Sequence, residues 1–233
     1  MNSNTNSNDK KKKKQKKESN IGHDFVKITG AVPCLLWFRH KAYYIGENGV
    51  HKRQGIKGGA LICSNHISLM DPVLIHCLFW DRRVYFLAAV ELYADDLKSF
   101  FFKMVKCIPV DRNNFSMASF SAVTERLKAG KTVAMFPEGR INKDDHDMLS
   151  FKTGAVLMAA SSNVPIVPVY IVKRDKWYKR QIALIGDPID LAAMYGTRPS
   201  MQNVRDASVY LRNKEIELMN YYENHIAKRD KNK

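Results

Sequence analysis

Short apolar runs alternating with helix-length segments constrain the fold of this chain more than any other feature. Lys41–Gly46, Ala60–Cys63, Val84–Ala89, Val133–Phe136, Ile166–Val172 and Ile182–Gly186 have the length and apolar character of strands. Asp71–Trp80, Leu92–Val105, Phe115–Ala129 (ended by Gly130) and Thr153–Ser161 read as helices between them, and Met201–Ala227 as a long charged terminal helix. Strands joined through helices run parallel, because the crossover returns the chain to the end of the sheet from which it started. The pattern therefore predicts an α/β fold, a mainly parallel sheet covered by helices. With 233 residues, 45% of them hydrophobic, the chain is long enough for one core of this kind.

Open parallel sheets gather their chemistry where strands end. Asn65-His66-Ile67-Ser68-Leu69-Met70-Asp71 stands at the junction of Ala60–Cys63 with the helix that follows. A neutral imidazole accepts a proton from a hydroxyl near pH 7, and a carboxylate on its other nitrogen fixes the tautomer and stabilises the imidazolium. On a continuous helix, residues five apart lie about 140° from each other, so His66 and Asp71 can meet only if the chain between them is partly turn. Ser68-Leu69-Met70-Asp71 also fits a helix start, with Ser68 as N-cap and Asp71 as a capping acid at the third helical position. Both roles can hold together.

Three later segments also carry polar residues at element ends. Ile108-Pro109-Val110-Asp111-Arg112 closes one apolar stretch, Phe136-Pro137-Glu138-Gly139-Arg140 follows Val133–Met135, and Val164-Pro165-Ile166-Val167-Pro168-Val169 follows a helix of small residues. An arginine is always charged and offers a planar fork of donors that matches phosphate, so Arg112 and Arg140 point to a phosphorylated substrate, with Lys152 as a third cation. Each cation has a plainer use, as a solvated side chain or in a local pair such as Asp111 with Arg112 or Glu138 with Arg140.

In this order, the four segments resemble the glycerolipid acyltransferase family, whose typical member is 1-acylglycerol-3-phosphate acyltransferase. The resemblance runs from about Ile45 to Val172. His66 through Asp71 is similar to the family's His-x4-Asp block, Ile108–Arg112 to its arginine block, Phe136–Arg140 to its Phe-Pro-Glu-Gly block and Val164–Val169 to its Val-Pro-Ile-Val-Pro block. The resemblance implies that His66, oriented by Asp71, deprotonates an acceptor hydroxyl that attacks the thioester of acyl-CoA or acyl-carrier protein, with no further cofactor. It also implies that Arg112, Glu138, Gly139 and Arg140 hold the acceptor's phosphoglycerol. Many relatives read Phe-Pro-Glu-Gly-Thr-Arg-Ser in the third block, whereas here Arg140 follows Gly139 directly. Lys152, near a point where relatives also carry lysine, offers a compensating charge. The acceptor implied is lysophosphatidate, with glycerol 3-phosphate or another lysophospholipid as the alternative.

A covalent acyl-thioester on Cys63 is a rival mechanism, but a strand would turn Cys63 and His66 to opposite faces, and a buried thiol fits that position better. Cys34, Cys63, Cys77 and Cys107 have neither zinc-ligand spacing nor a disulfide framework, so no metal is expected. Phe100-Phe101-Phe102 with Met104 and Val105 reads first as core packing and second as the wall of an acyl-chain tunnel.

The formal charge is +15. Residues 1–22 read as a disordered basic tail, with seven lysines against Asp9 and Glu18, and residues 23–233 as the acyltransferase domain. No apolar run reaches the ~18–20 residues of a spanning helix, and the first residues lack the apolar core of a secretory signal. Within segment 24–41, Phe25, Ile28, Val32, Leu35 and Leu36 recur at helical spacing beside Trp37 and Phe38, flanked by Lys27, Arg39 and Lys41, with Pro33 as an interruption. Such a segment either packs on the domain or lies in the surface of an anionic membrane. The expected location is the cytoplasmic face of a membrane, peripheral or monotopic. Nucleic-acid binding accounts less well for the charge, because the basic residues are not built into an RNA or DNA module. No specific nucleic-acid partner is expected.

Overall fold

β3 (Ala60–Ser64) is buried along its whole length, because it lies inside an eight-stranded sheet covered on both faces. The computed structural model describes residues 36–104, 107–111, 116–143, 148–176, 178–196 and 198–228. The basic tail and positions 24–35 of the expected membrane-associating segment lie outside these residues. The chain runs β1 (Lys41–Gly46), β2 (Gly49–His51), β3, α1 (Asp71–Leu78), β4 (Val84–Ala89), α2 (Asp96–Met104), β5 (Ile108–Val110), α3 (Met117–Lys128) and β6 (Thr132–Met135). It continues through α4 (Gly154–Ser162), β7 (Ile166–Ile171), β8 (Ile182–Gly186), α5 (Leu191–Tyr195) and α6 (Met201–Tyr221).

The strand order is β2-β1-β8-β7-β3-β6-β4-β5. Among the named strands of the described residues, the β1–β2 hairpin and the β7–β8 pair are antiparallel; the β1–β8, β3–β6, β3–β7, β4–β5 and β4–β6 pairs are parallel, as the alternating pattern predicts. Cys63 lies opposite Met135 of β6 and Pro168 of β7, so these central strands bring their carboxyl ends level with one another.

The two-residue periodicity of β3 sorts its side chains. Leu61 and Cys63 enter a core with Val123, Leu127, Met158, Ile166, Val204 and Leu211 from the α3, α4 and α6 side. Ala60 and Ile62 enter the opposite core, with Leu74, Ile75 and Leu78 of α1 and with Phe38. Among the described residues, no helix is long and apolar enough to cross a membrane.

The structure adds elements too short for periodicity to disclose, namely β2, β5 and α5. The expected helix Leu92–Val105 begins only at Asp96, after a 3-10 turn over Val90–Tyr93. The terminal helix widens to π geometry over Tyr222–Ala227. Core packing does not hold for the whole Phe100–Phe102 cluster, since Phe100 on α2 is 65% exposed.

Candidate active site

The site begins where β3 stops pairing through its backbone. Asn65 Nδ2 donates to the Ile171 carbonyl (3.0 Å) and its Oδ1 accepts from the Ile171 N–H (2.7 Å), so one amide side chain continues the ladder toward β7. This pair of bonds anchors the residue before His66. The chain then turns over residues 67–70, and α1 starts at Asp71 with Pro72 in its first turn, where a missing N–H goes unnoticed.

The turn brings His66 and Asp71 together. Asp71 Oδ2 lies 2.9 Å from His66 Nδ1 and also accepts the backbone N–H groups of Ile67 (2.7 Å) and Ser68 (2.8 Å). A carboxylate only accepts, so Nδ1 carries the hydrogen and the lone pair is left on Nε2. The expected Ser68 cap does not form. Ser68 Oγ instead accepts from the Met70 N–H (3.1 Å), and Asp71, the first helical residue rather than the third, folds back over the turn. The acid thus closes the turn rather than capping the helix, because its oxygen is occupied by donors that precede it.

The loop after β6 closes over the histidine. Phe136–Gly139 is a tight turn, with the Gly139 N–H donating to the Phe136 carbonyl (3.0 Å). The Phe136 ring stacks on the imidazole, with centroids 4.1 Å apart and planes 14° from parallel. Glu138 Oε1 accepts the His66 backbone N–H (3.2 Å), and the Asn142 N–H donates to the His66 carbonyl (2.6 Å). His66 is therefore held through its ring face, its Nδ1, its N–H and its carbonyl. Burial pushes the Glu138 carboxyl above its ordinary range, while the N–H groups of His66 and Leu149 and the charges of His66 and Arg212 pull it back.

Gly139 has φ +73°, and a Cβ there would lie 2.9 Å from Lys152 Cε and 3.1 Å from its Nζ. The absent side chain is what allows the Lys152 stem to lie along the loop. The Lys152 N–H donates to the Pro137 carbonyl (2.8 Å), which joins the residues before α4 to the same turn.

Of the residues picked from sequence, the structure therefore joins His66, Asp71 and Glu138 directly and sets Gly139 against Lys152. Arg140 is exposed, and Arg112 lies outside the described residues, two positions beyond β5. The end of β5 lies three strand spacings, about 14 Å, from β3. Cys63 is fully buried among apolar side chains, and that burial pushes its thiol well above the ordinary range, away from nucleophilic use. Asn65 and Phe136 stand inside two of the segments that the sequence marks out, whereas no sequence signal marks the two that adjoin the site from α6, Arg212 and Glu215. The inward side of α6 would have pointed to the last two only as a charged pair on a face that also carries Leu211 and Leu218.

A histidine held by a buried carboxylate thus stands at the carboxyl end of a central parallel strand of an α/β protein, a geometry suited to general-base chemistry. Residues 43–172 match the family described as Acyltransferase, more than half of the chain, and the chain belongs to that family. It is 28% identical over 190 residues to a probable 1-acyl-sn-glycerol-3-phosphate acyltransferase of Mycoplasma pneumoniae, covering 71% of this chain and 68% of the relative. It is also 28% identical over 110 residues to the 1-acyl-sn-glycerol-3-phosphate acyltransferase of Bacillus subtilis, covering 47% of this chain and about half, 54%, of that relative. The crystal structure of the 1-acyl-sn-glycerophosphate acyltransferase PlsC from Thermotoga maritima shares the fold, with a TM-score of 0.56 at 21% identity over 84% of this chain and 79% of that one.

Proposed function

We propose that this protein transfers a fatty acyl group from acyl-CoA or acyl-carrier protein to the free hydroxyl of 1-acylglycerol 3-phosphate, giving phosphatidate for phospholipid synthesis. The observation that carries the reading is the His66 Nδ1–Asp71 Oδ2 contact of 2.9 Å at the end of β3. His66 Nε2 takes the proton of the acceptor hydroxyl as its oxygen attacks the thioester carbonyl. The carbon–sulfur bond then breaks, and the imidazolium returns the proton to the departing thiolate. Asp71 holds the tautomer and balances the imidazolium charge. A positioned general base supplies about 10²–10⁴ in rate; alignment of the two substrates is assigned much of the remainder.

Arg112, Glu138, Gly139, Arg140 and Lys152 form the acceptor site in this reading, with the cations taking the phosphate. Work at the cytoplasmic face of an anionic membrane is supported by the charge of +15 and by exposed apolar side chains beside the catalytic pair. Leu69 and Met70 stand on the His66–Asp71 turn itself, and Leu36 and Trp37 are exposed just ahead of β1. The test is transfer of labelled acyl groups from each donor to lysophosphatidate in mixed micelles, comparing wild type, His66→Ala and Arg112→Ala. Phosphatidate formation that His66→Ala abolishes, and that Arg112→Ala weakens mainly through acceptor KM, supports the reading. Transfer to glycerol 3-phosphate or another lysophospholipid alone would reassign the acceptor, and full activity of His66→Ala would remove the mechanism.

A further inference from the structure

Glu215 is 0% exposed, on a face of α6 that otherwise buries Ala207, Leu211 and Leu218. A charge buried in this way costs several kcal/mol unless it is paired, yet neither oxygen of Glu215 has a hydrogen-bond partner among the described residues. The only other unpartnered buried carboxyl oxygen there is Glu138 Oε2. The Glu138 carboxyl acts electrostatically on Glu215, and the Asn65 backbone N–H, next to the His66 N–H that Glu138 receives, points at Glu215 as a weak hydrogen-bond donor. The Cys63 thiol senses Glu215 from β3. Arg212, one turn earlier on α6, acts on Glu138 but is committed to the loop behind it, its Nη2 donating to the Met148 carbonyl (2.6 Å) and its Nε to the Leu149 carbonyl (3.1 Å). Among the described residues, the elements packed against α6 bring further titratable groups in Tyr170 of β7 and in Tyr222, Glu223 and His225 of the π-helical segment that follows α6.

Two neighbouring carboxyls in a dry site do not both ionise; the pair holds one proton. We propose that Glu215 carries that proton and donates it in a hydrogen bond to Glu138 Oε2, and that it is thereby a positioning residue for acyl transfer. Glu138 Oε1 already receives the His66 N–H, so the path from α6 to the general base is two hydrogen bonds long. With Oε2 occupied, the Glu138 carboxylate cannot rotate away from His66, and the imidazole keeps its register against Phe136 and Asp71. Burial raises the Glu215 carboxyl well above its ordinary range, as this arrangement requires.

The inference rests on the acyl-transfer reading for its kinetic readout and is tested with Glu215→Gln, which keeps a neutral donor, and Glu215→Leu, which keeps only volume. Glu215→Leu is expected to lower kcat at least about tenfold with acceptor KM little changed, and Glu215→Gln to restore most of it. Wild-type activity should fall on the alkaline side as the pair loses its proton, while Glu215→Gln keeps its activity there. Infrared spectra of wild type near neutral pH should contain a protonated-carboxyl stretch that Glu215→Gln removes. Leucine as active as glutamate, glutamine as impaired as leucine, or no such band would each overturn the inference. Should wild type acylate no lysophosphatidate, the acceptor reading fails separately and the infrared band alone decides on Glu215; the same band decides if Glu215→Leu does not fold.

Discussion

Two parts of the molecule meet at His66, and they are built differently. The turn from His66 to Asp71 is local: six consecutive residues place the base, orient it and close their own backbone with one carboxylate oxygen. The support behind it is assembled from afar, with Glu138 arriving after β6, Asn65 clamped to β7, and Arg212 and Glu215 hanging from the last long helix. In the proposed mechanism the local part supplies the proton acceptor, and the remote part limits how far that acceptor can stray. Substitutions in the first should abolish chemistry in a folded protein, whereas those in the second should lose rate and stability together.

The sharpest break comes from His66→Ala, which should lower kcat by about 10³-fold or more while leaving the melting temperature near that of wild type. Asp71→Asn should follow at about 10², since an amide can still accept the Ile67 and Ser68 N–H groups but holds the imidazole less well. Steady-state kinetics beside thermal melts check both. A large loss of stability in either would mean that the turn is as structural as the helix behind it.

That contrast also marks how far the sequence can be read. The strands and their parallel order are written in local apolar runs, and the His66–Asp71 pair can be found because a histidine and a carboxylate stand together at a strand end in a segment that resembles the family's His-x4-Asp block. Position within the turn is harder to read: Ser68 and Asp71 fit a helix-start pattern, but the carboxylate reaches backward to three donors that no spacing rule ranks. Glu215 is the opposite case. Its periodicity places it on the apolar side of α6, yet nothing nearby in sequence reveals that this side faces Asn65 and Glu138, because their partnership depends on α6 packing against β7 and β8.

Smaller effects should sharpen the boundary between the two parts. Asn65→Ala leaves the Ile171 N–H and carbonyl without their side-chain partners in a buried strand, which should cost about 1–3 kcal/mol; denaturant melts would measure it, and kcat should fall by less than for Asp71→Asn. Gly139→Ala combines a left-handed φ of +73° with a Cβ 2.9 Å from Lys152 Cε. Its strain should cost about 1–2 kcal/mol, and displacement of the Lys152 stem should appear as a raised acceptor KM with kcat nearly kept. An unchanged KM would detach Lys152 from the acceptor site.

The pH-dependent effect is the most selective. Burial lifts the Glu215 carboxyl above its unfolded value, so between those two values the folded chain keeps a proton that the unfolded chain releases. The stability associated with Glu215 is then fully present below the unfolded carboxylate range, near pH 4, and is lost as pH rises toward the folded value, by up to about 1.4 kcal/mol per pH unit. A glutamine amide at this position has no such proton to lose. Glu215→Gln should therefore melt close to wild type near pH 4.5 and above it at pH 8. His66→Ala leaves Glu215 in place and should keep the wild-type trend. A gap independent of pH would mean that Glu215 titrates alike in both states, and the remote part of the site would then reduce to packing.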